Sequence, residues 1–490
     1  MRRSLLLALA AGAALAGCDM APKYIRPALP VAPAAPAGPA YAAPAAGAIV
    51  PADTAWQDFF VDAKLRGVIR LALDNNRDLR VAVANVEQAR ALYRVQRADL
   101  FPTIGANGSA TYQKSPGGVA TTGGVGAGAG TGTGTGTGAV TGGSVRTDIY
   151  TANLGISAWE IDLFGRLRNL AKSAQEDYFA AAENRDAAQT ALIAEVATAW
   201  LTMAADQDRL RIAQDTEQAF GKTLELTRAR FRSGISSELD VRQAQTSYDQ
   251  ARSDIAAATT LVAQDQNALN LLAGTTVPAD LLPARLDAAD ATLDNLPSDL
   301  PSDVLLRRPD IVAAEHQLRG AYADIGAARA AFFPNISLTA AFGTLSLGLS
   351  NLFGSGSNYW SVAPTASLPI FDAGRNIGNL RYAEASRKAM LAQYEKAVQT
   401  GFREVADALA RRGTIDRQLE AQTSLRDAAA VAYRLSEARF RAGIDPFLNT
   451  LDSQRALYTA EQSLLAARLT RQTNAVELYR ALGGGLREEQ

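Results

Sequence analysis

Two stretches far apart in the chain say nearly the same thing: ARFRSGI at 229–235 and ARFRAGI at 438–444. Other landmarks recur in the same order. RADLFPTI (97–104) matches RAAFFPNI (329–336) at a spacing of 232 residues. EIDLFGR (160–166) matches PIFDAGR (369–375) at 209, the spacing that also separates the first pair and Gly274 from Gly483. Ordered matches at a nearly fixed distance predict a two-fold internal repeat. The spacing shortens by 23 after the first landmark, so the first copy carries extra residues there. GGVATTGGVGAGAGTGTGTGTGAVTGG (117–143) supplies them. This Gly/Thr tract is too poor in large apolar side chains to hold a core and reads as a solvated loop.

Each copy carries two alternating segments and two very long helical ones. Residues 103–113, 148–158, 336–345 and 359–369 place an apolar side chain at every second position, as in Ile336, Leu338, Ala340 and Phe342 between Ser337, Thr339, Ala341 and Gly343. That period predicts strands. Pro364 argues against a central strand of a soluble sheet. Residues 165–232 and 375–441 contain no proline and predict helices of about 100 Å each, far beyond the ordinary three or four turns. Return helices are expected over 235–273 and 446–482, with shorter ones near 77–100 and 309–332. Between each long helix and its return stands a tip. Gly234 and Gly443 suit a left-handed helix end, and Pro446 suits the first turn of a new helix. One return helix and one short helix together match one long helix in length, so each copy predicts two antiparallel rods, one unbroken and one split. Strands are expected at one end, tips at the other, and the interruptions at mid-height.

The start of the chain bears on address. MRRSLLLALAAGAALAGC has Arg2 and Arg3, an apolar run and small residues before Cys18, the pattern of a bacterial secretory signal peptide over 1–17. Leu15-Ala16-Gly17-Cys18 resembles a lipobox, which implies cleavage before Cys18 and acylation (palmitate) of that residue. Asp19 follows; in enteric bacteria an aspartate there resembles an inner-membrane retention signal. Residues 18–55 are a Pro/Ala-rich linker. The first repeat is expected over 56–274, a connecting segment over 275–301, the second repeat over 302–483 and a tail over 484–490. No later apolar run reaches the length of a membrane-spanning helix, so any crossing must use strands. Four strands cannot close a bacterial barrel, which starts at eight, so such a crossing needs further copies of the chain.

One histidine and one cysteine in 490 residues leave no disulfide framework and no Cys/His metal site, and a net charge of −1 gives no basic stripe for nucleic acid. No nucleotide-binding or zinc motif is present, so no enzyme and no cofactor are expected. His316 lacks a nucleophile motif near it.

Taken together, Cys18, WQDFFVDAKLRGVIRLALDNNRDLR, the FFP and DAGR landmarks and the two RFRxGI tips resemble the TolC-like outer-membrane factors, in particular the lipidated subgroup serving resistance-nodulation-division efflux pumps. The resemblance covers nearly the whole mature chain. It implies an α+β fold: a long antiparallel α-helical barrel of coiled-coil hairpins, plus four strands per subunit in a shared 12-stranded barrel of a homotrimer, with an equatorial girdle. It implies a passive duct in the bacterial outer membrane, lipid-anchored, with its tunnel in the periplasm. A periplasmic membrane-fusion adaptor and an inner-membrane RND transporter are the implied partners.

In that family the second tip lines the closed aperture. By alignment on Gly443, the implied gate residues are Leu448, Asp452 and Arg455. A ring of Leu448 would constrict and dewet the mouth, a ring of Asp452 would attract cations, and Arg455 would hold neighbours by charged hydrogen bonds. Asn449 stands where some relatives carry a second acidic residue. The tips Arg232, Gly234, Arg441 and Gly443 are the implied adaptor-docking residues. On the residues alone, Asp452 reads equally as a solvated helix charge, and both glycines as plain helix caps. The rival reading of the whole chain is a lipid-anchored periplasmic coiled-coil spacer or adaptor; the four alternating segments separate the two, because a spacer has no use for them.

Overall fold

The computed structural model describes residues 19–41, 54–115, 145–286, 291–293 and 301–484. The signal peptide, Cys18, the Gly/Thr tract at 117–143, part of the linker and the end of the tail lie outside the described residues. Among the described residues there are four strands, β1 (Ile104–Ser115), β2 (Val145–Glu160), β3 (Asn335–Ser346) and β4 (Asn358–Ser367), and eight α-helices. The helices are α1 (Trp56–Phe59), α2 (Ala63–Asn75), α3 (Arg77–Ala98), α4 (Arg166–Arg232), α5 (Glu238–Ala273), α6 (Pro309–Ala330), α7 (Arg375–Arg441) and α8 (Phe447–Ala481). The two longest, α4 and α7, each have 67 residues and start and stop 209 residues apart. Each short helix α3 and α6 has 22 residues. Among the described residues no helix is long and apolar enough to cross a membrane.

The chain divides into two compact units. One holds residues up to Arg26, 88–178 and 316–391, and is built on the sheet. Its strands run antiparallel in the order β1-β2-β3-β4, so β1 and β4 are edges. The register sets Ala106 beside Leu154, Leu154 beside Phe342 and Phe342 beside Trp360, an unbroken apolar row. The next row is polar or small: Asn107, Asn153, Gly343 and Tyr359, with Asn153 Nδ2 donating to Tyr359 Oη at 2.9 Å. Gly343 is required by closeness, since a Cβ there would lie 2.2 Å from Ala152 O. The large side chains of the apolar face stand in the open: Ile104, Leu154, Phe342, Trp360 and Val362 are all more than half exposed. A sheet that leaves this many large apolar side chains of one face in the open has left them for something other than water.

Sequence alternation carries through Ile156 but not, as expected, to Ala158. A bulge sets two residues, Ser157 and Ala158, against Thr339, and Trp159 takes the place beside Leu338. Ala158 adopts a φ of 47° and donates its N–H to Thr339 Oγ1 at 3.2 Å. An extra residue in one strand re-aims the side chains beyond it. Pro364 sits in the edge strand β4, in register with Leu338, where a missing N–H costs least. Below β2, Glu160 grips Arg166 through two bonds of 2.9 and 2.5 Å, and Asp162 Oδ2 accepts from Arg168 N at 2.8 Å. These carboxylates fix the start of α4, where unpaired N–H groups favour negative charge.

The other unit holds residues 27–87, 179–315 and 392 onward. Its core gathers Phe59, Phe60, Leu65, Val68 and Ile69 with Ile193, Val196, Leu201, Leu478 and Tyr479, all nearly inaccessible. Phe59 stacks on Tyr479 with centroids 4.7 Å apart. Gly274 ends α5 in the left-handed region at φ 67°, and a Cβ there would meet Asn75 O at 2.3 Å. Asn76 binds both sides of this junction: its Oδ1 accepts from Leu79 N at 2.8 Å and its Nδ2 donates to Leu272 O at 2.9 Å. Arg308, almost fully buried, donates to Asp310, to Glu404 at 3.0 Å and to Ala481 O at 2.6 Å, joining the start of α6, the middle of α7 and the end of α8. A buried guanidinium stands only when its donors are this well matched.

Candidate functional site

The two tips are built alike. At the first, Gly234 has a φ of 72°, Gly234 N donates to Phe231 O at 2.9 Å and Ile235 N to Arg230 O at 2.9 Å. At the second, Gly443 has a φ of 74°, with Gly443 N to Phe440 O at 3.0 Å and Ile444 N to Arg439 O at 2.9 Å. Both close their helix with the glycine-dependent pattern that satisfies its last carbonyls. Nothing lies within 4 Å of a Cβ built on either glycine, so backbone angle, not crowding, selects it.

Beyond the glycines the two tips differ. Ser237 caps α5, its Oγ accepting from Asp240 N at 3.2 Å while Asp240 Oδ2 accepts from Ser237 N at 3.0 Å, a reciprocal capping box. Burial pushes the Asp240 carboxyl up, but the bonds from Ser236 and Ser237 outweigh it and leave it below the usual carboxylate range. The return helix therefore starts at Glu238, later than its sequence suggests. The second return helix has no such cap. Pro446 stands just outside it with ψ 155°, one residue before the first turn that sequence alone assigns it. Its neighbour Asp445 turns back to Arg439 through bonds of 2.6 and 2.9 Å. That hydrogen-bonded guanidinium holds the Asp445 carboxyl low.

Helix α8 then divides its faces. Phe447, Thr450, Leu451 and Gln454 are buried; Leu448, Asn449, Asp452 and Arg455 are exposed. Leu448, Asp452 and Arg455 follow at helical spacing and share a face. The first and last differ in company. Leu448 is 48% exposed. Arg455 donates through Nε and Nη2 to the buried Ser247 Oγ of α5 at 3.1 and 2.9 Å. Further along α8, Tyr458 Oη donates to Asp254 Oδ2 at 2.8 Å. Burial, and then that bond, push the Tyr458 hydroxyl well up.

The hairpins are joined behind this face. Leu224, Ala244, Phe440, Phe447 and Leu451 form one buried cluster drawn from α4, α5, α7 and α8, with Val241 and Tyr248 against it. Arg230 Nη1 donates to Phe440 O at 2.9 Å, and its guanidinium lies 4.5 Å from the Phe440 ring centre. Arg232 is exposed at the first tip, and Arg441 at the second pairs with Glu437 at 2.7 Å. Sequence reasoning missed Ser247, Arg230 and the Arg439–Asp445 pair. Only the last had a local signal, an Arg six residues before an Asp across a glycine. Further along α4 and α5, Asp265 lies against the buried Asp206, which Arg209 pairs. Burial and the neighbouring carboxylate push Asp265 up to about 6.

An amphipathic sheet of four strands, long hairpins and two glycine tips define a class of membrane duct proteins. The family profile described as "Outer membrane efflux protein" matches residues 68–275 and 300–484. The toluene efflux pump outer membrane protein TtgC of Pseudomonas putida is 44% identical over 490 residues, covering 100% of this chain and 97% of its own. Outer membrane protein OprJ of Pseudomonas aeruginosa is 40% identical over 486 residues, covering 98% and 95%. The open-state outer membrane channel MtrE of Neisseria gonorrhoeae superposes with a TM-score of 0.82 at 37% identity, over 96% of this chain and 99% of that one. The chain belongs to the outer membrane efflux protein family. Its place is the outer membrane, as the TolC-like channel component of an efflux pump.

Proposed function

We propose that three copies of the chain join their sheets into a 12-stranded barrel, and that the two hairpins of each copy, products of one duplicated unit, line a periplasmic tunnel beneath it. The observation that carries this reading is the sheet: apolar and exposed on one face, with both edges open. Four strands enclose nothing, and open edges seek partners. The duct is passive. Its partners are a periplasmic adaptor, docked at the tips around Arg232, Gly234, Arg441 and Gly443, and an inner-membrane RND transporter that sets the cargo. Cys18 carries the lipid anchor.

The gate is formed by the exposed face of α8 at the second tip. Leu448 narrows the mouth, Asp452 rings it with negative charge, and Arg455 holds α8 to α5 through Ser247. With Asn449 in place of a second acid, one acidic ring operates. Single-channel currents in planar bilayers test both duct and gate. Wild type should conduct weakly, and Asp452→Ala and Leu448→Ala should each conduct at least about twofold more as the constriction widens and wets. Folded, inserted protein that never conducts would retire the duct and favour a lipid-anchored spacer.

A further inference from the structure

The first described residues form neither helix nor strand, yet they are held. Asp19 Oδ1 accepts from Asn169 Nδ2 at 2.9 Å and from Ala21 N at 3.0 Å. Asn169 is 2% exposed, and the same amide donates to Gly165 O at 2.7 Å, where α4 begins. Lys172 and Arg168 add positive charge nearby. On the other side stands Gly326 of α6. A Cβ there would come within 2.7 Å of Asn169 Nδ2 and 2.8 Å of Ala21 N, so only glycine leaves room for the segment. Met20 O accepts from Arg329 Nη1 at 3.4 Å. Tyr24 meets Tyr322 edge-on at 5.5 Å, with the Arg319 guanidinium 5.0 Å from the Tyr24 ring centre. Asn169 and Gly326 have no role in the proposed duct or gate, and neither does Asp19.

We propose that Asp19 is a clasp: its carboxylate is committed to Asn169 and fastens the amino-terminal segment onto α4 and α6, near their junctions with β2 and β3. The proposal rests on the reading of Cys18 as the lipidated residue. Residue 19 is then the second of the mature chain, where an aspartate in enteric bacteria resembles a retention signal for the inner membrane. A side chain bound by the chain's own amide serves the fold, not the address.

Trypsin reads the clasp directly. Lys23 is exposed within the fastened segment, and cleavage after it requires the segment to lift. Arg26 is followed by Pro27, a bond trypsin leaves alone. With the purified full chain, Asp19→Ser and Asn169→Ala should each speed appearance of the fragment beginning at Tyr24 by about threefold or more, the scale of one partly exposed charge-assisted hydrogen bond. Both variants should fractionate with the outer membrane as wild type does. Unchanged cleavage in Asp19→Ser overturns the clasp. So does a change of membrane in Asp19→Ser that Asn169→Ala does not share. Labelling cells with a clickable palmitate tests the underlying reading separately: absence of label on wild type removes the lipoprotein assignment, while the cleavage rates still decide the clasp.

Discussion

The family resemblance singles out Leu448, Asp452 and Arg455; their spacing on α8 gives them one face, and the buried Phe447, Leu451 and Gln454 show which way that face turns. What spacing could not give is the partner. Ser247 lies 208 residues from Arg455 in the chain, and nothing local to either residue announces the bond. If that bond keeps α8 against α5, Arg455→Ala should raise single-channel conductance, and Ser247→Ala should do so by a smaller amount, since water can replace a hydroxyl more easily than a guanidinium. A second residue-scale prediction concerns pH. Asp265, pushed up to about 6 from an ordinary 3.8, binds its proton more tightly folded than unfolded. Stability therefore falls as pH rises from about 4 through about 6, and the penalty is complete above that. Asp265→Asn should raise the thermal midpoint most at pH 8, by less at about pH 5, and hardly at all near pH 3, measured by circular dichroism. The carboxylate pair was invisible in the sequence because its members sit on different helices.

Elements were legible in proportion to how local their causes are. The tips announced themselves because a left-handed helix end needs glycine, and each glycine sat after the same Ala-Arg-Phe-Arg run. The long helices followed from the absence of proline. The starts of the return helices did not, because Ser237 and Pro446 each hold the chain extended at the cap. The bulge in β2 was equally hidden: alternation tells one strand's faces apart, while an extra residue shows only against the partner strand. These causes predict what substitution does. Gly443→Val forces a β-branched residue to φ 74° with no crowding to confuse the result. It should cost about 1–2 kcal/mol, read from the urea midpoint, and Gly443→Asn should cost less. Gly343→Val, by contrast, drives side-chain atoms into Ala152 O. It should break the sheet, read as loss of strand signal in circular dichroism.

At the scale of the whole molecule, the apolar face of the sheet is the feature with most to lose. Trp360→Lys places a charge on it and should lower stable insertion by about 2–4 kcal/mol if the residue sits near mid-membrane, measured as the midpoint of unfolding from lipid vesicles. Native mass spectrometry of the detergent-extracted protein should return three copies. The two open edges of that sheet carry a genetic consequence. If no single copy encloses a pore, then a pore exists only when every copy in it is sound. If the pore is the proposed trimer, a cell making wild-type and defective chains in equal amounts would assemble only about one in eight without a defective member. A gate or edge variant that still assembles should therefore behave as dominant over the wild-type gene, and one that cannot assemble should be recessive.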